Sequence, residues 1–154
     1  MRGYYDILEK LRVSLEANPS INTVTEGDLL DVDLAKQTIF PLSHIIIQNA
    51  TFEPQTITFN MNILFMDLVD FNKDDPRTTP FQGNNNEQDV LNTMLAAANK
   101  LWSDLSRGDL YIDKYQISGT PTAEPFVERF DNQVAGWDLT ISISIPNTDI
   151  SVCV

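Results

Sequence analysis

The sequence predicts an α+β fold, an antiparallel or mixed β-sheet with two main helices packed on it. Three observations predict it. Apolar residues recur at helical spacing in two separated segments, 2–17 and 87–106. Apolar and polar residues alternate with a period of two in 56–63 and 139–145. The strand-like segments cluster between and after the helices and do not alternate with them one by one, as they would in a parallel βαβ sheet. A chain of 154 residues suffices for one domain with its own core. With no repeat, low-complexity tract or linker, 1–154 reads as a single domain.

In the first segment Tyr4, Leu8, Leu11 and Leu15 fall on one stripe. Asn18-Pro19 ends the helix, because proline disfavours a helical conformation in the residue before it. Residues 21–25 suit a short strand. His44–Ile47 is a short apolar run, read as a buried strand, and Asn49–Pro54 is read as a turn. The next strand is the clearest: Ile57, Phe59, Met61 and Ile63 alternate with Thr56, Thr58, Asn60 and Asn62. Together these two runs predict a β-hairpin with a long turn. Residues 71–86 carry two prolines and a glycine and read as a long loop, a feature that in compact domains is functional or disordered.

Val90, Leu91, Met94, Leu95, Ala98, Leu101, Trp102 and Leu105 give the second helix a broad apolar face. Asn86 is its candidate N-cap, and Arg107-Gly108 closes it. Three strands are expected after it: Leu110–Ser118, Pro125–Asp131 with Phe126 and Phe130 on one face, and a third carrying Leu139, Ile141, Ile143 and Ile145. Gly136-Trp137, just before that third strand, suggests a bulge or tight turn. The outer faces of strands 56–63 and 139–145 hold Thr, Ser and Asn. Uncharged faces with unprotected edges pair easily with other chains, which favours an assembling protein.

Charge and composition exclude several function classes. Twenty-two acids against ten bases leave a net charge of -12, divided evenly at -6 for residues 1–77 and -6 for 78–154. Phosphate-directed nucleic-acid binding needs clustered Lys and Arg, and the sequence has no such cluster. The plain reading is a solubilising acidic surface; the sharper one is a surface past which DNA moves without sticking. No apolar run approaches the roughly 20 residues of a membrane helix, and the N-terminus lacks a signal peptide's apolar core. The expectation is a chain that stays in the cytoplasm where it is made.

No catalytic constellation emerges. His44 is the only histidine and reads as a hydrogen-bonded structural residue, with no nucleophile or carboxylate placed beside it by sequence. Cys153, the only cysteine, reads as a structural thiol. One His and one Cys far apart do not make a zinc site. Asp28, Asp31 and Asp33 lack the glycine and terminal glutamate of a calcium loop. Asp67, Asp70, Asp74 and Asp75 could line an oxygen-rich metal site, against which stands a simple solvated acidic edge. The six glycines are scattered and form no phosphate-cradling loop. The residues thus predict neither a catalytic site nor a cofactor or metal site. Trp102 and Trp137 read as core or interface aromatics.

Four segments and a cysteine near the C-terminus carry a resemblance: Lys36–Ile47 (KQTIFPLSHIII), Met66–Asp70 (MDLVD), Asn86–Leu110 (NEQDVLNTMLAAANKLWSDLSRGDL) and Ala135–Asn147 (AGWDLTISISIPN). Together they resemble a family of structural proteins of tailed phages, of the kind found in Bacteroidetes and marine phages, placed among tail-completion or neck proteins. The element order is also similar to that of phage tail terminators, α+β subunits that form a hexameric ring capping the tail tube. The resemblance implies a non-enzymatic virion protein, made in the host cytoplasm and located in the tail or neck. Its implied partners are itself in a ring homo-oligomer, the tail tube protein and the neck or adaptor proteins, with DNA passing through the ring and no specific nucleic-acid binding.

On that reading the 71–86 loop would be an arm reaching a neighbour or the tail tube. Phe71, Asp74, Asp75 and Phe81 would be its contact residues, with the two phenylalanines as apolar anchors. Stopper and adaptor positions within the neck stay open, as does an accessory binding module for tail assembly. A metal-dependent enzyme built on the Asp67–Asp75 acids is the third reading.

Overall fold

The computed structural model describes residues 3–27, 39–68, 87–108, 115–127 and 134–146. In chain order these form α1 (Gly3–Glu16), β1 (Thr23–Glu26), β2 (Leu42–Phe52), β3 (Thr56–Leu68), α2 (Glu87–Arg107), β4 (Gln116–Ile117), β5 (Thr122–Val127) and β6 (Val134–Pro146). The strands make one six-stranded sheet in the order β1-β2-β3-β6-β4, with β5 also paired to β6. β1 runs parallel to β2, and the other pairs are antiparallel. The mixed sheet with two helices is the α+β fold that the sequence predicts.

Both helices lie on one face of the sheet. The apolar stripe of α1 is Ile7, Leu11 and Leu15, all buried. Ile7, which the expected stripe omits, is fully buried where Leu8 is only partly so, and Tyr4 lies at the margin with its ring 6.2 Å from that of Phe59. The last turn tightens as Asn18 N–H donates to the Leu15 carbonyl at 3.1 Å. The Asn18 side-chain oxygen then accepts from Ser20 N–H at 2.9 Å. That local bond gives the buried asparagine a partner and turns the chain at Pro19.

In α2 the buried positions are Val90, Met94, Ala97, Ala98, Leu101 and Leu105. They meet Ile57, Phe59, Met61, Ile63 and Phe65 of β3 and Ala135, Leu139, Ile141, Ile143 and Ile145 of β6 in one core. Each fully buried Leu, Ile or Phe contributes about 1.5–3 kcal/mol of transfer free energy, so this layer carries most of the fold's stabilisation. Gly108 N–H donates to the Asp104 carbonyl at 3.1 Å and closes the helix as expected.

β3 and β6 pair without interruption from Thr56 opposite Pro146 to Leu68 opposite Val134. Both are therefore interior strands, and neither presents the unprotected edge that their composition suggests. Among the described strands the edges are the four-residue β1 and the broken β4–β5 line. Between Ile117 and Thr122 the β4–β5 line leaves the β6 ladder after Ser118 N–H donates to the Ser142 carbonyl at 2.8 Å, and Gly119 takes φ +76°. The interruption and Pro125 both weaken this edge as a template for another strand.

Several boundaries differ from the sequence reading. β2 does not stop at Ile47 but continues to Phe52 through a register shift between Ile47 and Asn49. Its side chains from Gln48 onward are exposed, so apolar patterning is blind to a stretch held by main-chain bonds to β3. The hairpin reversal is correspondingly short, with Glu53 N–H donating to the Thr56 carbonyl at 2.9 Å. β4 is Gln116–Ile117, with 110–114 of the expected Leu110–Ser118 outside the described residues, β5 begins at Thr122 ahead of the expected Pro125, and β6 begins at Val134. Gly136 lies inside β6 in unbroken register, so it marks neither a bulge nor a turn. An added Cβ there would sit 1.8 Å from the Phe65 carbonyl oxygen. The glycine is required because the backbones of β3 and β6 approach too closely for any side chain.

On the opposite face Phe40, Leu42, Leu64, Met66 and Val134 form a second, smaller buried cluster. The Phe40-Pro41 peptide beside it is cis. No described helix is long and apolar enough to cross a membrane.

Candidate functional site

The contact residues expected from the long loop, Phe71, Asp74, Asp75 and Phe81, lie outside the described residues. So do Asp70, Asp28, Asp31, Asp33, Asn86, Phe130 and Cys153. Asp67 closes β3 on the helix-bearing face, half-buried, with its Oδ1 accepting from Leu68 N–H at 2.7 Å. Burial pushes its carboxyl above the ordinary 3.8, and the Leu68 bond opposes that rise. Among the described residues no three His, Cys, Asp or Glu side chains converge.

His44 is buried in β2. Its Nε2 faces the Gly27 carbonyl at 2.9 Å, and its Nδ1 faces the Thr25 hydroxyl at 2.7 Å. A carbonyl only accepts, so Nε2 carries the proton toward Gly27, and Nδ1 shares the second bond with the Thr25 hydroxyl. The imidazole thus fastens β1 and the positive-φ turn at Gly27 to β2. Its groups are engaged in holding the short parallel strand, which is the structural role read from the sequence.

The polar half of the outer sheet face carries a ladder of amides and hydroxyls across β2, β3 and β6. Asn60 donates to Asn49 and to Thr51, and its carbonyl accepts from Ser142. Asn62 donates to Asp138 at 2.8 Å and Thr140 at 3.2 Å while accepting from Gln48. Thr58 and Ser144 share a 2.8 Å bond. Asn60 and Asn62, both on β3, therefore spend amide donors and carbonyl acceptors on the neighbouring strands β2 and β6. The ladder sets register and leaves little hydrogen-bonding capacity for a ligand.

Among the described residues the helical layer leaves an apolar surface uncovered at each of its ends. Between α1 and the β1–β2 edge runs a groove of about 240 Å³ lined by Tyr5, Leu8, Glu9, Arg12, Val24, Thr25, Glu26 and Ile45. Its floor is aliphatic. On its rim Arg12 is held by Glu9 and by Glu16, the latter at 3.0 Å. Those carboxylates raise the guanidinium further above its ordinary value, and the Arg12 hydrogen bond lowers Glu9. At the other end of the layer, α2 exposes Leu95 and Trp102, 42% and 39% accessible.

Patterning places both residues in the second helix but assigns them to its buried face. Leu95 and Trp102, like Tyr4 in α1, are thus surface residues that periodicity alone misreads. Trp137, by contrast, packs against the main core and donates its indole N–H to the Leu91 carbonyl at 2.8 Å. No protein-family model matches the chain, and no curated protein matches it.

Proposed function

We propose that the chain is a non-enzymatic structural subunit of a tailed-phage virion. It is a tail terminator or head–tail joining protein that forms a ring, a hexamer on the terminator analogy, at the top of the tail around the DNA path. Its partners on this reading are further copies of itself, the tail tube protein and the neck or adaptor proteins.

The observation that supports the reading most is where the resembling segments fall. The described parts of KQTIFPLSHIII, MDLVD, NEQDVLNTMLAAANKLWSDLSRGDL and AGWDLTISISIPN belong to β2, β3, α2 and β6, which pack side by side as one unit. The four scattered segments thereby lie in one contiguous framework. The evenly spread net charge of -12 fits a wall that DNA passes without being held.

The test is electron microscopy of the purified protein and of virions labelled for it. Rings with a central hole, and label at the head–tail junction, are the expected result. Absence of the protein from purified particles would remove the virion reading and leave an accessory module that acts during tail assembly.

A further inference from the structure

The helical layer ends in two flanks that face opposite ways. α1 turns Ser14 toward α2, where its hydroxyl donates to Asp104 Oδ2 at 3.1 Å. The groove lies on the other side of α1, and the Leu95–Trp102 surface lies on the side of α2 away from Asp104. No single copy can bring the two together.

We propose that the Leu95–Trp102 flank of one copy seats in the α1–β1 groove of the next, head to tail. This rests on the ring reading for closure of the chain of contacts, because a heterologous contact of this kind closes into a ring or runs on as a filament.

Size, polarity and charge each favour a second copy as the occupant. At about 240 Å³ the groove falls below the roughly 300–1,000 Å³ of small-molecule sites and suits one large side chain. Leu8, Val24 and Ile45 offer an aliphatic floor, and Tyr5, 72% exposed, offers a ring at the lip. An indole matches that lining with an apolar body and a single donor. The Trp102 N–H has no partner among the described residues, and neither does the Glu26 carboxylate on the rim, whereas Arg12 is already engaged.

The flank is also a place where two copies of so acidic a chain can meet. Steps of three and four residues from Leu91 through Leu95, Asn99 and Trp102 to Ser106 trace a stripe with no charged residue. Against a net charge of -12, such a stripe approaches another copy without like-charge repulsion.

Two variants at exposed positions, Trp102→Glu and Tyr5→Glu, test the contact by sedimentation velocity, with circular dichroism confirming that both fold. Trp102→Glu removes the knob and keeps the groove; Tyr5→Glu spoils the groove and keeps the knob. Each alone is expected to self-associate at least about 30-fold more weakly than the unmodified chain, as loss of a seated tryptophan does. Mixed, they are expected to form a two-chain species and nothing larger, because one good knob still meets one good groove.

Assemblies of unchanged subunit number in Trp102→Glu would overturn the contact while leaving the ring reading standing. So would failure of the two variants to complement each other. An unmodified chain that stays monomeric at every concentration reached would overturn self-docking. Filaments abolished by Trp102→Glu, in a protein absent from virions, would uphold the contact and remove the ring reading.

Discussion

The indole N–H of Trp137 in β6 donates to the carbonyl of Leu91 in α2 at 2.8 Å. It is a direct polar tie between α2 and an interior strand of the sheet, made by a residue packed against the main core. Replacing Trp137 by Phe removes the donor and some packing volume. The Leu91 carbonyl keeps the helical partner its position provides, so it is not left bare. The expected loss is about 1–2 kcal/mol, read from the urea midpoint at unchanged m-value.

Gly136 and Gly119 separate steric from conformational cost. At Gly136 a Cβ would collide with the Phe65 carbonyl oxygen at 1.8 Å, so Gly136→Ala must part β3 from β6. A loss of about 3 kcal/mol or more is expected. At Gly119 nothing lies within 4 Å, but φ is +76°, and Gly119→Ala is expected to cost about 1–2 kcal/mol. Comparable denaturation midpoints for the two variants would contradict this ranking.

His44→Phe deprives the Gly27 carbonyl and the Thr25 hydroxyl of their partners on β2. Buried groups left unsatisfied cost about 1–3 kcal/mol each. Because among the described strands β1 pairs with β2 alone, the damage is expected to be local. Amide hydrogen exchange should accelerate at Val24–Gly27 well before it does in β3 or β6. Uniform acceleration across the sheet would show that the histidine supports the whole fold.

Asp67 gives a pH signature. Burial raises its folded pKa above the ordinary 3.8, so in the window between those values the folded state binds the extra proton. Stability contributed by this group is present below the unfolded value and is lost as pH rises through the raised one. Asp67→Asn keeps an oxygen to accept from Leu68 N–H and removes the buried charge. The variant is expected to gain stability relative to the unmodified chain as pH climbs from about 4, with the difference level near neutrality. A difference that shrinks with rising pH would reverse the sign and refute this account.

Much of this architecture was legible from periodicity because burial on one face writes itself into the residue order. Ile57 to Ile63 and Leu139 to Ile145 alternate as strands must when one face meets helices, and Leu101 and Leu105 recur as a helix face must. The polar half of β2 was not legible. Gln48 to Phe52 are exposed and held by main-chain pairing, which leaves no hydrophobic trace. Gly136 could be singled out by residue type, but the reason for it could not, since the collision it avoids is with Phe65, distant in the chain. The expected loop contacts at Phe71, Asp74, Asp75 and Phe81 lie outside the described residues, so the groove and the Leu95–Trp102 flank stand as the candidate surfaces.

The sequence alone determined the fold class, the two helices, the principal strands and an acidity evenly shared by both halves of the chain, because these depend on spacing and composition within short windows. Only the tertiary structure decided that β1 runs parallel to β2, that β3 and β6 are interior, and that Ile7 is buried while Tyr4 stays at the margin. It also decided that Trp102 faces outward while Trp137 packs inward. Those outcomes depend on which strand lies beside which and how each helix is rotated over the sheet. Contacts between residues far apart in the chain settle both, and no local pattern records them.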